Sequence, residues 1–327
     1  MPEEVMPQVY RLNVPLPNNP LKAVNSYVFK SPDRNLIVDT GMNREECLSA
    51  IREGLDEIGL DLGKTDFFIT HMHADHSGLV AVLAEETSRI FCSREDSVLI
   101  SPNATPGEYL ISRLDFTKRN GFPESVVHEA IRLHPGFRYS ARGRLEFSLV
   151  GEGDVINVGE YSFRCVETPG HTRGHLCLYE PRKKILISGD HILNDITPNI
   201  SLWSDQWNPL QEYLSSLDKV GRLEVELVLP GHREPFSDCR GRIRELKYHH
   251  RTRAEEVLSI LQTGALDAYR VASLMSWDLT YDSWEQFPAP QKWFATGEAL
   301  SHLKYLTEEG LTKKVEQDEI LLYCSSK

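Results

Sequence analysis

Short apolar runs alternate with polar turns over the first 240 residues, and most of these runs have the length of strands. Turn residues bound nearly every run, which is typical of a sheet-forming chain. The pattern predicts strands at 9–17, 24–30, 35–39, 66–69, 90–92, 145–150, 154–158, 161–168, 176–179, 184–188 and 227–229. Helices are predicted between some of these strands, so the fold contains both elements.

The first predicted helix follows the third strand. Asn43 and Glu46 have the spacing of a capping box, which indicates where this helix begins. Cys47, Ile51, Leu55 and Ile58 then repeat at the spacing of one apolar helix face. Further helices are predicted from Ser77 to about Thr87 and near 208–220.

The segment from about 94 to 140 has a different character. It is polar, has helical spacing, and contains prolines at positions where helices would break. We interpret it as a helical insertion on one face of the core. Its aromatic side chains either line a substrate cleft or pack the insertion on the core; they are Tyr109, Phe116, Phe122, Phe137 and Tyr139.

A second change of character occurs near residue 240. Three predicted helices, Glu255–Leu261, Val271–Leu274 and Gly297–Glu308, precede two short strands, Leu311–Val315 and Ile320–Tyr323. This order predicts two domains, 1–240 and a winged-helix-like 241–327. Positive and negative charges nearly balance in the tail, which is unfavourable for a DNA-binding domain. We expect the tail to dock on the core or on a second subunit, as in a homodimer.

Composition narrows the class of protein. Of the 327 residues, 40% are hydrophobic and 26% charged, as in ordinary globular proteins. The net charge of −12 argues against broad nonspecific binding of nucleic acid. No apolar run reaches the roughly 18 residues of a membrane span, the first residues lack signal-peptide features, and the six cysteines form no CxxC pair. We therefore expect a cytoplasmic protein with no membrane partner.

Four residues able to bind a metal lie within the loop that follows strand 66–69. These are His71, His73, Asp75 and His76. The histidines at 71 and 73 are two apart, so an extended backbone directs both to one side. The other two lie past the bend and can face a second point. One tight loop can therefore serve two neighbouring metal ions.

Other strand ends carry matching residues. Asp39 ends the third strand, His171 follows the strand 161–168, and Asp190 and His232 follow later strands. Strand ends that meet at one edge of a sheet bring dispersed residues into one site. The sequence therefore predicts a single metal centre built from distant segments.

These motifs resemble the metallo-β-lactamase superfamily over roughly residues 8–240. The resemblance implies an α+β fold, an αββα sandwich with the metals at one edge. The tail resembles the winged-helix domain of a branch that includes the lactamase-like endoribonuclease of mitochondria. The core also resembles hydroxyacylglutathione hydrolases of the glyoxalase II type.

The resemblance also implies a ligand set and a cofactor. Carried over by position, His71, His73 and His171 hold one cation, Asp75, His76 and His232 hold the second, and Asp190 bridges them. Imidazole and carboxylate ligands suit zinc, and also iron or manganese. Two such cations would hold a water between them, lower its pKa toward about 7 and make a bridging hydroxide the nucleophile. Asp75 or Asp190 could then take up the proton.

Neighbouring residues have supporting roles in this scheme. Asp39 resembles the aspartate that orients a metal-bound imidazole, although a strand-end turn residue is the alternative. We expect His175 and His191 to be buried, hydrogen-bonded histidines rather than ligands. Thr172 is expected to brace its loop.

The leading functional hypothesis is a metal-dependent hydrolase of small esters or thioesters, similar to hydroxyacylglutathione hydrolase. A single-strand endoribonuclease and a lactonase of the same fold are the alternatives, and β-lactam cleavage also stays open. A metal-sensing winged-helix regulator is the non-enzymatic alternative. A basic or aromatic track leading to the metals would favour the endoribonuclease.

Overall fold

The computed structural model describes residues 1–100, 114–143, 145–278 and 281–326. The chain divides into two compact units. Unit 1 comprises Met1–Thr105, Arg138–Pro198 and Ser216–Ile243, and unit 2 comprises Pro106–Phe137, Asn199–Ser215 and Arg244–Lys327. Each unit is assembled from three separated segments of the chain.

The strands are β1 Glu3–Met6, β2 Val9–Pro15, β3 Ala23–Phe29, β4 Asn35–Val38, β5 Thr65–Phe68, β6 Ile90–Cys92, β7 Phe147–Leu149, β8 Val155–Val158, β9 Tyr161–Glu167, β10 Leu176–Glu180, β11 Ile185–Gly189, β12 Leu227–Pro230, β13 Thr312–Gln317 and β14 Ile320–Ser325. The helices are α1 Glu45–Glu57, α2 Ala74–Ser77, α3 Val80–Leu83, α4 Arg94–Ile100, α5 Leu114–Arg119, α6 Glu124–Leu133, α7 Pro135–Arg138, α8 Pro209–Gly221, α9 Cys239–Ile260, α10 Ala268–Leu274 and α11 Ala289–Glu308. Short 3-10 turns lie at Leu62–Lys64, Leu261–Thr263 and Trp284–Gln286.

Two mixed sheets form unit 1. The first has the order β1-β2-β3-β4-β5-β6-β7, and the second has the order β12-β11-β10-β9-β8. The strands β4 to β7 pair in parallel, as do β11 and β12. The parallel strands therefore end on one side, where a site can form at the carboxyl edge.

The core of unit 1 has two layers, one on each face of the first sheet. Ile37 and Phe67 pack with the buried side of α1, whereas Val38 and Phe68 pack with residues of the second sheet such as Phe163. Strands buried on both faces read as continuous apolar runs, which explains why these segments do not alternate. The α+β fold with two mixed sheets agrees with the expected fold class.

The beginning of α1 differs from the prediction. The helix begins after Arg44, and no side chain caps its first turn. Asn43 instead donates its side-chain amide to Ser140 O, and Glu46 pairs with Arg44. The predicted capping box is therefore wrong, because both of its members have other partners. The predicted apolar face is confirmed for Cys47, Ile51 and Leu55, which are buried, whereas Ile58 follows the last residue of the helix and is half-buried.

The single helix expected from Ser77 to Thr87 was also wrong. The structure has two short helices there, α2 and α3, and the chain is extended at Ala84. Gly78 lies between them at a crowded point, where an added Cβ would lie 2.6 Å from both Asn43 N and Tyr139 O. Backbone from two other segments therefore occupies the space that a longer helix would need.

Unit 2 contains the helices and hairpin expected of the tail, although all three helices begin earlier than predicted, α9 and α11 by the most. Helix α9 starts at Cys239 and α11 at Ala289, and β13 pairs with β14 in antiparallel register. The last passage of the chain from unit 1 to unit 2 falls within helix α9, not in a linker.

Two segments that the sequence analysis placed in the first domain group with unit 2, namely 106–137 and 199–215. Aromatic packing explains this grouping. Phe122 lies 5.6 Å from the ring of Trp293, and Trp203 stacks on the same indole at 3.9 Å. Phe116 packs on a neighbouring cluster of unit 2. Tyr109 falls outside the described residues, as does the side chain of Phe137.

Two general features bear on the environment of the protein. All six cysteines are free, and five of them are buried. Among the helices of the described ranges, none combines the length and apolar character needed to cross a bilayer.

A buried histidine pair joins α9 to α11 in unit 2. His250 Nδ1 lies 3.3 Å from His302 Nε2. His302 Nδ1 lies 2.9 Å from the carbonyl oxygen of Glu298, so this nitrogen carries the proton and Nε2 accepts from His250. Burial lowers the pKa of His302 to about 4. Burial and the neighbouring His302 also lower the pKa of His250, so both side chains are neutral in the folded protein near neutral pH.

We expect this pair to make unit 2 sensitive to acid. The unfolded chain binds protons at these histidines below their ordinary pKa of about 6.5, whereas folded His302 does not until about pH 4. The free energy of unfolding should therefore decrease as the pH falls through this window, by about 1.4 kcal/mol per pH unit for His302. His302→Asn keeps a donor for the carbonyl but removes the titration, so its urea unfolding should depend less steeply on pH. His128→Asn, at an exposed histidine, is the control and should keep the wild-type slope. Equal slopes for His302→Asn and wild type would contradict this expectation.

Candidate metal centre

The structure brings all seven predicted ligand residues together in unit 1. They form three overlapping groups whose ligand atoms lie within 4.8 Å of one another: His71, His73 and His171; His71, His76 and Asp190; and Asp75, His76 and His232. The first loop leaves β5, Asp190 follows β11, and His232 follows β12. The expected convergence of strand ends is therefore present.

The first group contains only imidazole nitrogens. His73 Nδ1 lies 3.0 Å from His71 Nε2 and 2.9 Å from His171 Nε2. Ligand atoms about 2.0–2.2 Å from a tetrahedral cation are roughly 3.3–3.6 Å apart, close to these separations. The three rings therefore have the arrangement of a three-histidine face.

The second group adds carboxylates. His232 Nε2 lies 3.5 Å from Asp75 Oδ2, and His76 Nε2 lies 4.0 Å from the same oxygen. Asp190 lies between the groups. Its Oδ2 is 3.5 Å from both His171 Nε2 and His232 Nε2, and its Oδ1 is 3.5 Å from His76 Nε2. Asp190 thus has the position expected of a bridging ligand.

Hydrogen bonds behind three of the rings determine which nitrogen faces the centre. His76 Nδ1 lies 2.7 Å from Asp39 Oδ2, and His232 Nδ1 lies 2.6 Å from the carbonyl of Ala23. Both partners are acceptors, so each Nδ1 carries a proton. The Thr70 hydroxyl donates to Asp39 and therefore accepts from His71 Nδ1, 3.0 Å away. In the neutral rings, Nε2 is left as an acceptor that points inward.

The inward-pointing atoms give a direct test of whether a cation fits. Within the described residues, His76 Nε2, His232 Nε2 and Asp190 Oδ1 are buried and have no hydrogen-bond partner. Buried acceptors without a donor are unfavourable in a protein interior. A divalent cation would satisfy all three, and the mixture of imidazole and carboxylate suits zinc, iron or manganese. The residues present therefore fit a metal.

The pKa values separate the two sides of the centre. Burial and the neighbouring imidazoles lower the pKa of His73 to about 3, so this ring is neutral. Burial also opposes protonation of His232, but the carboxylates of Asp190 and Asp75 outweigh it and raise the pKa to about 9. Without a metal His232 therefore carries a proton at this site, and a bound cation would take the place of that proton and balance the two carboxylates.

Glycines allow the ligand loops to approach closely. At Gly231 an added Cβ would lie 2.5 Å from Asp190 Oδ1 and 2.8 Å from His76 Cε1. Gly189 has a φ of +47°, and a Cβ there would lie 2.7 Å from His175 Nε2. Larger side chains at either position would displace the groups that line the centre.

The supporting residues behave largely as the sequence analysis expected. Asp39, with a φ of +60°, accepts from Thr70 N and holds His76 as described above. His175 is buried, and its ring contacts Thr168 and accepts from Asp190 N. Neither His175 nor the buried His191 belongs to a metal-binding group among the described residues. Thr172 donates to Asp96, so its role in bracing the loop is also present.

Two positioning residues were missed. Asn25 donates from one amide nitrogen to Pro230 O and Arg233 O, on either side of the turn that carries His232. Asp96 accepts from Met72 N, Thr172 Oγ1 and Gly174 N. No sequence pattern around Asn25 indicated its positioning role. Asp96 had one, because Ser93 and Asp96 form an S-x-x-D capping pattern directly after β6, at the same edge of the sheet.

Comparison with known proteins agrees with this geometry. The sequence model of the metallo-beta-lactamase superfamily matches residues 19–232, which include all seven candidate ligand residues. The chain belongs to the metallo-beta-lactamase superfamily. Among curated members, it is 25% identical to the probable metallo-hydrolase YqjP of Bacillus subtilis, over 88% of this chain and 89% of that protein. It is a metallo-hydrolase of this superfamily.

Two further members are similar. The crystal structure of the metallo-beta-lactamase family protein TTHA1429 from Thermus thermophilus superposes with a TM-score of 0.81 at 28% identity, covering 98% of this chain and 99% of that one. The acyl-coenzyme A thioesterase MBLAC2 of Bos taurus is 26% identical over 65% of this chain and 74% of its own length. The fold of a metallo-beta-lactamase protein thus extends over nearly the whole chain.

The close approach at Gly231 leads to a prediction. Gly231→Ala keeps every ligand, but its Cβ would displace Asp190 and His76, so we expect zinc affinity to fall at least about tenfold. Gly221→Ala is the matched control, since the nearest atom to its Cβ is 3.8 Å away. Bound zinc is measured by atomic emission after dialysis against a chelator series. Unchanged zinc retention in Gly231→Ala would show that the centre does not need this close contact.

Proposed function

We propose that this superfamily member is a hydrolase of small thioesters and esters that depends on two divalent cations, with zinc as the first choice and iron or manganese as alternatives. The observation that carries the proposal is the set of buried, inward-pointing ligand atoms without hydrogen-bond partners among the described residues. His71, His73 and His171 would hold one cation, and Asp75, His76 and His232 the other. Asp190 would lie between them.

A bound pair of such cations activates water and stabilises negative charge on a substrate oxygen. The chain itself supplies orientation and proton transfer. Asp39, Thr70 and the Ala23 carbonyl hold three imidazoles in one tautomer. We assign the proton transfer from water to the leaving group to Asp75 or Asp190, the two carboxylates at the centre. No serine or cysteine nucleophile is required.

The thioester class is supported by similarity and by local charge. The relative MBLAC2 is named as an acyl-coenzyme A thioesterase. Although the whole chain has a net charge of −12, Arg173 lies two residues after His171 and is exposed. It has no carboxylate partner in the ranges that the structure describes. A cation at this position would attract an anionic carrier such as coenzyme A or glutathione. A hydroxyacylglutathione-hydrolase-like activity is the specific form of this proposal.

We also propose that the three helices and hairpin of unit 2 form a winged-helix-like domain. Its role would be protein association, including the formation of a homodimer. The hairpin is antiparallel, and both Lys314 and Arg119 in this unit are already paired with carboxylates. Paired cations are poorly suited to neutralising phosphates. This supports association over binding of nucleic acid.

The proposed reaction is tested by turnover of the metal-reconstituted protein on thioesters of coenzyme A and glutathione. We expect hydrolysis that falls roughly 100-fold or more in His73→Ala, because a lost ligand weakens metal binding more than a lost neighbour of a ligand does. Asp190→Ala should reduce hydrolysis to a similar extent. His128→Ala, which removes an exposed histidine, is the control and should retain full activity.

The same panel contains a lactone and single-stranded RNA. Turnover of either one without thioester hydrolysis would replace the proposed substrate class. Full thioester turnover by metal-free protein would contradict the role of the metals.

The role of Arg173 gives a separate prediction. Arg173→Met should raise KM for a coenzyme A thioester about fivefold, the effect of one exposed ion pair, with little change in kcat. An uncharged ester such as phenyl acetate should be unaffected. Arg164→Met, at an exposed arginine on β9 that packs on Tyr179, is the matched control. An equal loss on charged and uncharged substrates would argue against recognition of an anionic carrier.

A further inference from the structure

A buried carboxylate outside the ligand set joins two of the ligand loops. Asp96 lies in the first turn of α4 and is fully buried. Its Oδ2 accepts from Met72 N at 2.9 Å and from Thr172 Oγ1 at 2.6 Å, and its Oδ1 accepts from Gly174 N at 2.9 Å. Both oxygens are therefore engaged, and every donor belongs to a segment that carries histidines of the centre.

Two of the donors to this carboxylate lie next to the three histidines of the first group in the sequence. Met72 lies between His71 and His73, and Thr172 directly follows His171. These are the three histidines of the first group, in which His73 Nδ1 lies 2.9–3.0 Å from the Nε2 atoms of the other two. Outside the ligand set, the described residues show no other side chain that accepts hydrogen bonds from both loops. A shift at Asp96 would therefore change the separation of the two loops.

The contact with the second loop is tight. A Cβ at Gly174 would lie 2.7 Å from Asp96 Oδ1 and closer still to Ser93 Oγ. Ser93 Oγ also accepts from Asp96 N, which holds the start of α4 in place. The loop that carries His171 is thus packed against a carboxylate whose own backbone is anchored.

We propose that Asp96 is a positioning residue that sets the spacing of the three-histidine group and thereby its affinity for metal. The inference rests on the proposed metal centre, because it concerns how strongly one half of that centre binds. Asp96 acts through hydrogen bonds to the loops, and among the described residues it makes none to a ligand side chain. It differs in this from Asp39, which bonds directly to the ring of His76.

The choice of variant follows from the hydrogen bonds. Asp96→Asn keeps the shape but replaces one acceptor oxygen with an NH₂ group. In one orientation it loses the bond from Gly174, and in the other it faces the N–H of Met72 with a donor. Neither orientation serves all three partners. Thr172→Val removes a single bond to Asp96 with little change in shape, and Thr172→Ser should restore it.

Asp66 offers a matched control within the same unit. It is a buried aspartate that accepts from Arg34, Arg89 and the backbone, but it lies near the start of β5, away from the ligand loop. Asp66→Asn should destabilise the fold without changing metal affinity. A purely structural role for Asp96 would give the same result as this control.

The experiment measures zinc retained by the zinc-loaded full-length protein against a graded series of chelator, together with urea unfolding of each variant. In Asp96→Asn, one of the two zinc ions should be removed at a chelator concentration about 10–100-fold lower than in the wild type. The second zinc ion should be removed at close to the wild-type concentration. Thr172→Val should lower the affinity for the same zinc ion about tenfold, and Thr172→Ser should restore the wild-type affinity. Cobalt substitution should show the change in the visible absorption of that site.

The possible results separate the two proposals. Wild-type retention of both equivalents in Asp96→Asn and Thr172→Val would overturn the positioning role and leave the metal centre standing. An equal loss of zinc in Asp66→Asn would also overturn it, because the effect would then reflect general destabilisation. A wild-type protein that retains no zinc would overturn the metal centre, and this inference with it.

Discussion

The burial of polar ligand atoms that face one another is the constraint on which the rest of unit 1 depends. Nitrogen and oxygen acceptors from seven side chains converge at one sheet edge, and three of these atoms have no donor within the described chain. Such a cluster is unfavourable unless a cation occupies it, because the acceptors have given up water without a replacement. The fold must therefore hold these groups in place through contacts outside the cluster.

Support for the ligands is arranged in two ways. Individual rings are oriented because they donate hydrogen bonds to Asp39, Thr70 and the Ala23 carbonyl. Asp96, which accepts from Met72 N, and Asn25, which donates to Pro230 O, hold the backbone of the loops on which other candidate ligands lie. The first kind selects a tautomer, whereas the second sets distances between segments. Both are needed, since a correctly oriented ring at the wrong distance binds no metal.

The same principle explains where sequence-based prediction failed. The helix predicted from Ser77 to Thr87 is divided, because backbone from residues 43 and 139 passes close to Gly78. The capping box failed because Asn43 and Glu46 have partners elsewhere. In each case the local pattern was present, and a contact with a distant segment prevailed over it. The predicted role of Asp39 succeeded because its strand ends beside the strand that carries the motif.

The sequence by itself determined the types of the candidate ligand residues, their strand-end positions and the superfamily, because the dense spacing of His71, His73, Asp75 and His76 encodes the geometry of one loop locally. Only the tertiary structure decided which side chains hold the loops apart and which segments share a core. Asp96 contacts Met72 and Thr172 across 24 and 76 residues. Trp203 contacts Trp293 across 90 residues, and this contact lies within unit 2, to which segment 199–215 belongs. Contacts of this kind have no periodicity, because they depend on how the completed elements pack.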